Sequence, residues 1–339
     1  MSEQPVTDSA ANIPAAIAAL PRFRLFEDPS PLHRLTRFSA ALGGGADVWI
    51  KREDLLPLAF GGNKLRNLEF LVGAALAEEA DVLVTSGRRW SNHCRLTAAA
   101  GAKAGLAVDL VLSGPPISPP GPNVILDRLL GARIHVAATD ARADREALVE
   151  EVVDALRRAG RRPYLVPVGG SGPIGASGQV LAGLELVAQA RSLGISPGAV
   201  ILPSATGGTQ AGLLVGLRLG GSAARLAGIA VASPPAELIP VIARMLEDLE
   251  PLAGVRVEAT QIELDDGFLG SAYGVPTRAA TEAAELLART EGILVDPIYT
   301  AKALAGLVTG VRAGRLTGSI VFWHAGGTPG LFEGLPEIE

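Results

Sequence analysis

The chain has 339 residues, 48% hydrophobic and 19% charged, with 41 glycines and 4% aromatics, so it exceeds one ordinary core and suits two domains with aliphatic interiors. A net charge of −5 and a pI near 5.5, with no basic run or stacking platform, argue against nucleic acid as a partner. Cys94 is the only cysteine, which excludes an intrachain disulfide and fits a reducing compartment. The apolar stretch from Ile13 to Leu20 lacks a basic flank and is too short to span a bilayer. A soluble cytoplasmic protein without a membrane partner is expected.

Strand-like and helix-like segments alternate along the chain. Val48 to Ile50 reads as a strand, and Lys64 to Glu79 as a helix with Leu68, Leu71 and Ala75 on one face. Asp81 to Thr85 is an apolar strand, and Arg95 to Ala104 an Ala-rich helix closed by Gly105. Val108 to Leu112 is the next strand. The Pro-rich stretch Ile117 to Pro122 reads as a surface loop. Asn123 to Leu130 predicts a helix, Ala132 to Val136 a strand, Asp140 to Ala159 a helix and Tyr164 to Val168 a strand. From Gly169 onward the pattern repeats: helix Ile174 to Leu193, strand Ala199 to Pro203, helix Gly207 to Leu217 and strand Ile229 to Ala232. Helices Pro235 to Leu249 and Arg278 to Glu291 follow, then strand Ser319 to Trp323. This order predicts an α/β protein with parallel-rich sheets flanked by helices.

Three segments could carry chemistry. The chain has four lysines, Lys51, Lys64, Lys103 and Lys302, and only Lys64 follows two glycines that let backbone approach a ligand. A lysine opening a helix sits at the positive end of the macrodipole, which favours the free amine; a solvated helix-start lysine is the plain alternative. Arg88-Arg89-Trp90-Ser91-Asn92-His93 lies between a strand and a helix, where open α/β sheets place ligands. Ser91 and Asn92 read either as N-caps or as donors to a carboxylate and a cofactor oxygen. His93 reads as a core histidine or a ligand contact, and the arginines as solvated or anion-binding. Ser204 to Gly212 is a Gly/Thr-rich turn opening a helix, read as a phosphate cup or an ordinary turn. Two of three tyrosines, Tyr273 and Tyr299, sit in loop-like contexts.

Taken together, these motifs resemble the pyridoxal-phosphate enzymes of the tryptophan synthase β-like superfamily, fold type II. Within it the chain is most similar to the group of 1-aminocyclopropane-1-carboxylate deaminase and D-cysteine desulfhydrase. The resemblance runs from about Leu20 to Phe332. It rests on Lys51-Arg52-Glu53-Asp54, Gly61-Gly62-Asn63-Lys64, Ser91-Asn92-His93, Gly121-Pro122-Asn123, Gly169-Gly170-Ser171, Thr206-Gly207-Gly208-Thr209, Tyr273-Gly274-Val275-Pro276, Asp296-Pro297-Ile298-Tyr299 and His324-Ala325-Gly326-Gly327.

The resemblance implies that Lys64 holds pyridoxal 5′-phosphate as a Schiff base, that Asn92 bonds its 3′-oxygen, and that Thr206, Gly207, Gly208 and Thr209 hold its phosphate. Ser91 is placed beside the substrate carboxylate, with Tyr273 and Tyr299 flanking the substrate as catalytic groups. Asn92, His93, Trp90, Arg88 and Arg89 are the further substrate-side candidates. A large cofactor domain (1–64 and 176–339), a smaller inserted domain (65–175) and a homodimer are implied.

Departures from the family pattern bear on the substrate. Thr300 stands where deaminases have Glu. Ala325 stands where deaminases have Leu and desulfhydrases Thr. Thr300 is then the nearest candidate by sequence to face the pyridine nitrogen, beside Ala325. Arg88-Arg89-Trp90 replaces Gly-Ile/Val-Gln, and Leu65-Arg66-Asn67 replaces Thr-Arg-Lys. The expected activity is β-elimination from a small D-cysteine-like amino acid, giving a keto acid and ammonia. The alternatives are 1-aminocyclopropane-1-carboxylate deamination, L-cysteate sulfo-lysis with Arg88 and Arg89 reading the sulfonate, β-replacement, and a non-catalytic binding role.

Overall fold

The computed structural model describes residues 13–43, 45–114 and 120–333. The chain forms α1 (Ala15–Ala18), β1 (Leu32–Arg34), α2 (Thr36–Leu42), β2 (Ala46–Arg52), α3 (Lys64–Ala77), β3 (Val82–Arg88), α4 (Asn92–Ala104) and β4 (Ala107–Ser113). It continues through α5 (Pro122–Leu129), β5 (Arg133–Val136), α6 (Arg142–Arg158), β6 (Pro163–Leu165), α7 (Pro173–Ser192), β7 (Ala199–Ser204) and α8 (Gly208–Leu219). The last elements are β8 (Arg225–Ala230), α9 (Pro235–Ala253), β9 (Glu263–Asp265), α10 (Arg278–Glu291), α11 (Thr300–Arg312) and β10 (Gly318–His324).

Six strands pair in the order β1-β2-β10-β7-β8-β9, and four in the order β5-β4-β3-β6. All pairings are parallel except β1 with β2. The four-stranded sheet draws its strands from residues 82–165, within the stretch 65–175. Parallel strands are covered on both faces and read as continuous apolar runs. Val82, Leu83 and Val84 in β3 and Val200, Ile201 and Leu202 in β7 fit this, since all are buried. No helix among the described residues is long and apolar enough to cross a membrane.

Several elements depart from the sequence expectation for physical reasons. Helix α3 buries every residue from Leu65 to Ala75, not one face. It serves two cores at once: Phe70 packs into the large-sheet core, while Leu65, Leu68, Leu71 and Val72 pack into that of the small sheet. Helix α11 is not among the expected helices; it too is buried almost throughout, and Gly306 lets it press onto Ile229 of β8. Strand β8 starts and ends earlier than expected, because its register is set by pairing with β7 from Arg225 to Ala230. Pro122 is the first residue of α5, the position where a missing N–H costs nothing. Residues 115–119 of the expected Pro-rich loop lie outside the described residues.

Two devices tie the halves together. A Cβ on Gly183 would lie 2.9 Å from Gly216 Cα, and one on Gly216 would lie 2.2 Å from Val180 O, so α7 and α8 meet backbone to backbone. A buried ionic cluster links β2, α3 and α7. Arg66 Nε donates to Glu53 Oε2 at 2.5 Å and Arg66 Nη1 to Glu185 Oε2 at 2.8 Å, while Lys51 Nζ pairs with Glu185. Burial lowers the Lys51 pKa, and the two carboxylates offset this only in part.

Gly216→Ala tests the helix seam. At an exposed helical site this change stabilises, but here overpacking should cost about 1–3 kcal/mol. The expected readout is a lower urea midpoint with unchanged slope.

Candidate active site

A cleft of about 770 Å³ is lined by residues following strands of both sheets. Lys64 enters it from the start of α3. Two glycine turns make this possible. Gly61 (φ +63°) and Gly62 (φ +131°) adopt conformations that L side chains rarely reach. A Cβ on Gly326 would fall 2.6 Å from Gly62 Cα, so the turn after β10 packs directly on the turn before α3. Asn63 N donates to Ala325 O at 2.9 Å, closing that contact. Asn63 Nδ2 donates to Thr209 Oγ1 at 2.8 Å, and Gln179 Nε2 donates to Asn63 O at 2.8 Å. Lys64 Nζ has no hydrogen-bond or ion-pair partner among the described residues. Desolvation lowers its pKa to about 8, which enlarges the fraction of free amine near neutral pH.

The turn after β3 brings Ser91, Asn92 and His93 to the same cleft. Ser91 is the N-cap of α4, its Oγ accepting from Cys94 N at 3.2 Å. Gly87 permits this turn, since a Cβ there would lie 2.7 Å from Ser91 Oγ. Asn92 is the first helical residue. Buried Arg95 donates through Nη1 to both Asn92 Oδ1 and Asn123 Oδ1 at 2.8 Å. With its carbonyl so held, Asn92 is oriented to offer Nδ2 elsewhere. His93 Nε2 lies 3.0 Å from Thr85 Oγ1, whose single hydrogen is donated to Val166 O at 2.9 Å. The histidine must therefore donate from Nε2, leaving Nδ1 as a buried acceptor without a protein partner. Desolvation first, then the Lys64 charge, push its pKa down to about 3, so the ring is neutral.

Across the cleft, the turn after β7 runs into α8. Gly207 is left-handed (φ +80°) and caps this twelve-residue helix, exposing its first N–H groups. Thr206 Oγ1 and Ser171 Oγ lie 2.6 Å apart. Cβ atoms on Gly169 and Gly208 would crowd these hydroxyls at 2.6 and 2.8 Å, so the glycines shape a small hydroxyl-rich cradle. Thr206, Gly207, Thr209 and Ser171 line the cleft; Gly208 does not. A cradle of hydroxyls and bare N–H groups is the donor set a phosphate requires.

Tyr273 and Tyr299 meet on one side. Their hydroxyls hydrogen-bond to each other, and their rings are 6.0 Å apart at 60°. Burial raises both pKa values, so both stay protonated. Trp90 does not line the cleft. Its ring stands 5.9 Å from that of Tyr273, and a Cβ on Gly274 would collide with it, so it backs the tyrosine instead.

The expected arginine pair is split. Arg88 lines the cleft and pairs with Asp140 at 3.0 Å. Arg89 turns away, stacks on Trp90 at 4.9 Å and donates to Glu333 at 3.2 Å. Arg88 is the last residue of β3, 5.8 Å over the Trp90 ring, and Arg89 is the first residue of the turn that follows, so the chain changes direction between them. Thr300 is fully buried and outside the cleft lining; its hydroxyl contacts Asp296 and donates to Gly326 O at 2.9 Å. Asp296 also accepts from the backbone N–H groups of Ile298, Tyr299 and Thr300, while burial raises its pKa. Ala325 lines the cleft with a methyl group only.

Residues that sequence reading passed over include Ser171, Asn63, Arg95 and Arg145. Ser171 and Asn63 lie inside the quoted motifs Gly169-Gly170-Ser171 and Gly61-Gly62-Asn63, which was their available signal. Arg145 sits within an ordinary amphipathic helix and carries none.

The comparisons with known proteins agree with this geometry. Residues 23–326 match the family described as pyridoxal-phosphate dependent enzyme. The chain is 39% identical to the D-cysteine desulfhydrase of Salmonella typhi, over 95% of this chain and 98% of that protein. A solved 1-aminocyclopropane-1-carboxylate (ACC) deaminase homologue superposes with a TM-score of 0.87 at 36% identity, covering 94% of this chain and 95% of the other. A solved threonine deaminase from T.th. shares the fold alone, with a TM-score of 0.66 at 23% identity over 88% of this chain and 92% of the other. By match and by fold, this chain belongs to the pyridoxal-phosphate-dependent enzymes of fold type II.

Proposed function

We propose that this protein is a pyridoxal-phosphate lyase that removes a β-substituent from a small amino acid of the D-cysteine type, releasing a keto acid and ammonia. The observation that carries this reading is a single one. The unpartnered, desolvated amine of Lys64 shares one cleft with a hydroxyl cradle at a helix N-terminus and a protonated tyrosine pair. The name of the Salmonella typhi relative supports the leaving group.

Lys64 is the residue that would hold the cofactor, with Thr206, Ser171, Thr209 and the N–H groups opening α8 around its phosphate. Asn92 Nδ2 is the donor for its ring oxygen. When bound, pyridoxal phosphate supplies a sink for negative charge developing at Cα. The protein supplies the rest. Lys64, freed by the substrate amine, is the base at Cα. Ser91 and the N–H groups opening α4 bind the substrate carboxylate. Tyr299, hydrogen-bonded to Tyr273, holds a proton for the departing group. Neither Thr300, committed to Asp296 and Gly326, nor Ala325 offers a charged partner to the pyridine nitrogen. An uncharged partner weakens the sink and favours elimination over transamination.

We also read residues 65–175 as the smaller domain and the chain as a cytoplasmic homodimer. Ile125 and Leu129 of α5 and Phe332 of the neighbouring C-terminal turn leave large apolar surface exposed, which supports self-association.

Lys64→Ala should abolish keto-acid release and the visible absorbance of the bound cofactor; survival of that band would overturn the assignment. Because the neutral amine is the nucleophile and its pKa is lowered, covalent capture of added pyridoxal phosphate by apo-protein should rise with pH. It should level off above about 8, where an ordinary lysine would still be climbing. Tyr299→Phe should lower kcat by roughly 10²–10⁴-fold with a smaller change in KM, as expected for a lost proton donor. Equal loss in both would point to a packing role instead.

A further inference from the structure

We propose that Arg88, Arg142 and Arg145 form a subsite for an oxyanion carried on the β-carbon of the substrate, a sulfonate or a phosphate ester. The proposal rests on the lyase reading above and names the substrate class of that same site.

The three arginines line the cleft wall where β3 ends and α6 begins. Asp140 on this wall pairs with Arg88 at 3.0 Å through a half-exposed carboxylate. Arg142 is mostly exposed and pairs outward with Glu146 at 2.6 Å. Arg145 is different. Its Nη1 donates to Ser113 Oγ at 3.1 Å, its Nε is buried with no partner, and no carboxylate pairs with it among the described residues. Burial disfavours its charge, the charges of Arg88 and Arg142 add to that, and Glu146 offsets it only in part. A half-buried guanidinium beside two like charges is costly unless an anion completes it.

The wall is also tied to the reacting centre. Arg88 lies 5.8 Å over the Trp90 ring, which stands 5.9 Å from that of Tyr273, and Arg145 bonds Ser113, the residue paired with Arg88 across β3 and β4. An anion here therefore lies on the side of the cleft that carries the tyrosine pair. Oxyanions suit guanidinium forks in both geometry and charge.

The chemistry balances without an added oxidant or reductant. Lys64 takes the Cα proton, and the Cβ–S or Cβ–O bond breaks with its electron pair leaving on the oxyanion. Water then hydrolyses the enamine to pyruvate and ammonium. For the sulfonate the sum is cysteate plus water giving pyruvate, hydrogen sulfite and ammonium. The departing group gains a negative charge as the bond breaks, so arginines facing it stabilise departure more than binding.

The test uses holoenzyme with both enantiomers of cysteate, O-phosphoserine, cysteine and β-chloroalanine, following pyruvate, sulfite and phosphate. At least one oxyanion substrate should react, and sulfite or phosphate release identifies which anion is taken. Arg145→Gln should lower kcat/KM for that substrate at least about tenfold more than for D-cysteine or β-chloroalanine. Arg145→Lys should restore part of the difference, and Arg88→Gln should lower it independently if Arg145→Gln does not fold. Arg289→Gln, an exposed change on α10 outside the cleft lining, should leave the ratio unaltered. If D-cysteine reacts while neither oxyanion compound does, the subsite is refuted and the lyase reading stands. If nothing yields pyruvate, the lyase reading falls, and cofactor absorbance titrations decide the subsite. Cysteate or phosphoserine should bind at least about tenfold tighter than alanine, and the preference should vanish in Arg145→Gln. Equal affinities overturn the proposal, as does a uniform loss across all substrates.

Discussion

The contact on which the site depends is the one between two backbones. The turn before α3 and the turn after β10 touch at Gly62 and Gly326: a Cβ on Gly326 would lie 2.6 Å from Gly62 Cα, and Gly62 itself sits at φ +131°. Asn63 N then reaches Ala325 O, and the helix that starts one residue later aims Lys64 into the cleft. β10 lies between β2 and β7 in the large sheet, so the lysine is referenced to the most constrained part of that sheet. The same Asn63 side chain fixes Thr209, which links the amine to the start of the cradle across the cleft. Glycine here brings two functional turns within reach of one cofactor-sized space.

Around that contact, a buried polar layer sets orientation by counting hydrogens. Arg95 occupies the carbonyl of Asn92, leaving its amide hydrogens to face a ligand. Thr85 has one hydrogen, given to Val166, so His93 donates from Nε2 and presents an acceptor at Nδ1. Thr300 is held between Asp296 and Gly326 O, so its hydroxyl is not free for a ligand. Each assignment follows from geometry and valence. Together they describe a site whose neutral partners are held in place before a ligand arrives, the condition under which dipoles stabilise developing charge most effectively.

Much of this was legible in the sequence, and the reason differs by element. Lys64, Ser91, Asn92 and the Thr206 to Thr209 turn are local signals: glycines beside functional groups, at strand-to-helix turns. The alternation of strands and helices was legible because parallel strands are short apolar runs between helices. Helix α11 was passed over; all its residues but Thr309 and Arg312 are buried. Thr300 begins that helix, which is why its hydroxyl is turned inward rather than toward the cleft. The split of Arg88 from Arg89 depends on β3 stopping between them, and expecting it to end at Thr85 hid that boundary. Arg145 was illegible in principle, since only the fold brings α6 beside the end of β3.

That last point bears on how substrate choice is distributed. The cofactor-facing groups Lys64, Thr206 and Thr209 are anchored on the large sheet or on turns bonded to it. Arg88, Asp140, Arg142 and Arg145 all come from between residues 82 and 158, on the smaller sheet and its covering helix. On the proposed reading, proton removal is held by one layer and the charge facing the substituent by the other. A change in Arg88 or Arg145 would then alter the field at the β-substituent without touching the seam that aims Lys64. The reverse does not hold. Any shift of the Gly62–Gly326 contact moves the amine relative to every substrate alike. Divergence in substrate within such a fold is therefore physically easiest through the smaller sheet, where this chain carries Arg88-Arg89-Trp90 in place of the family's uncharged segment.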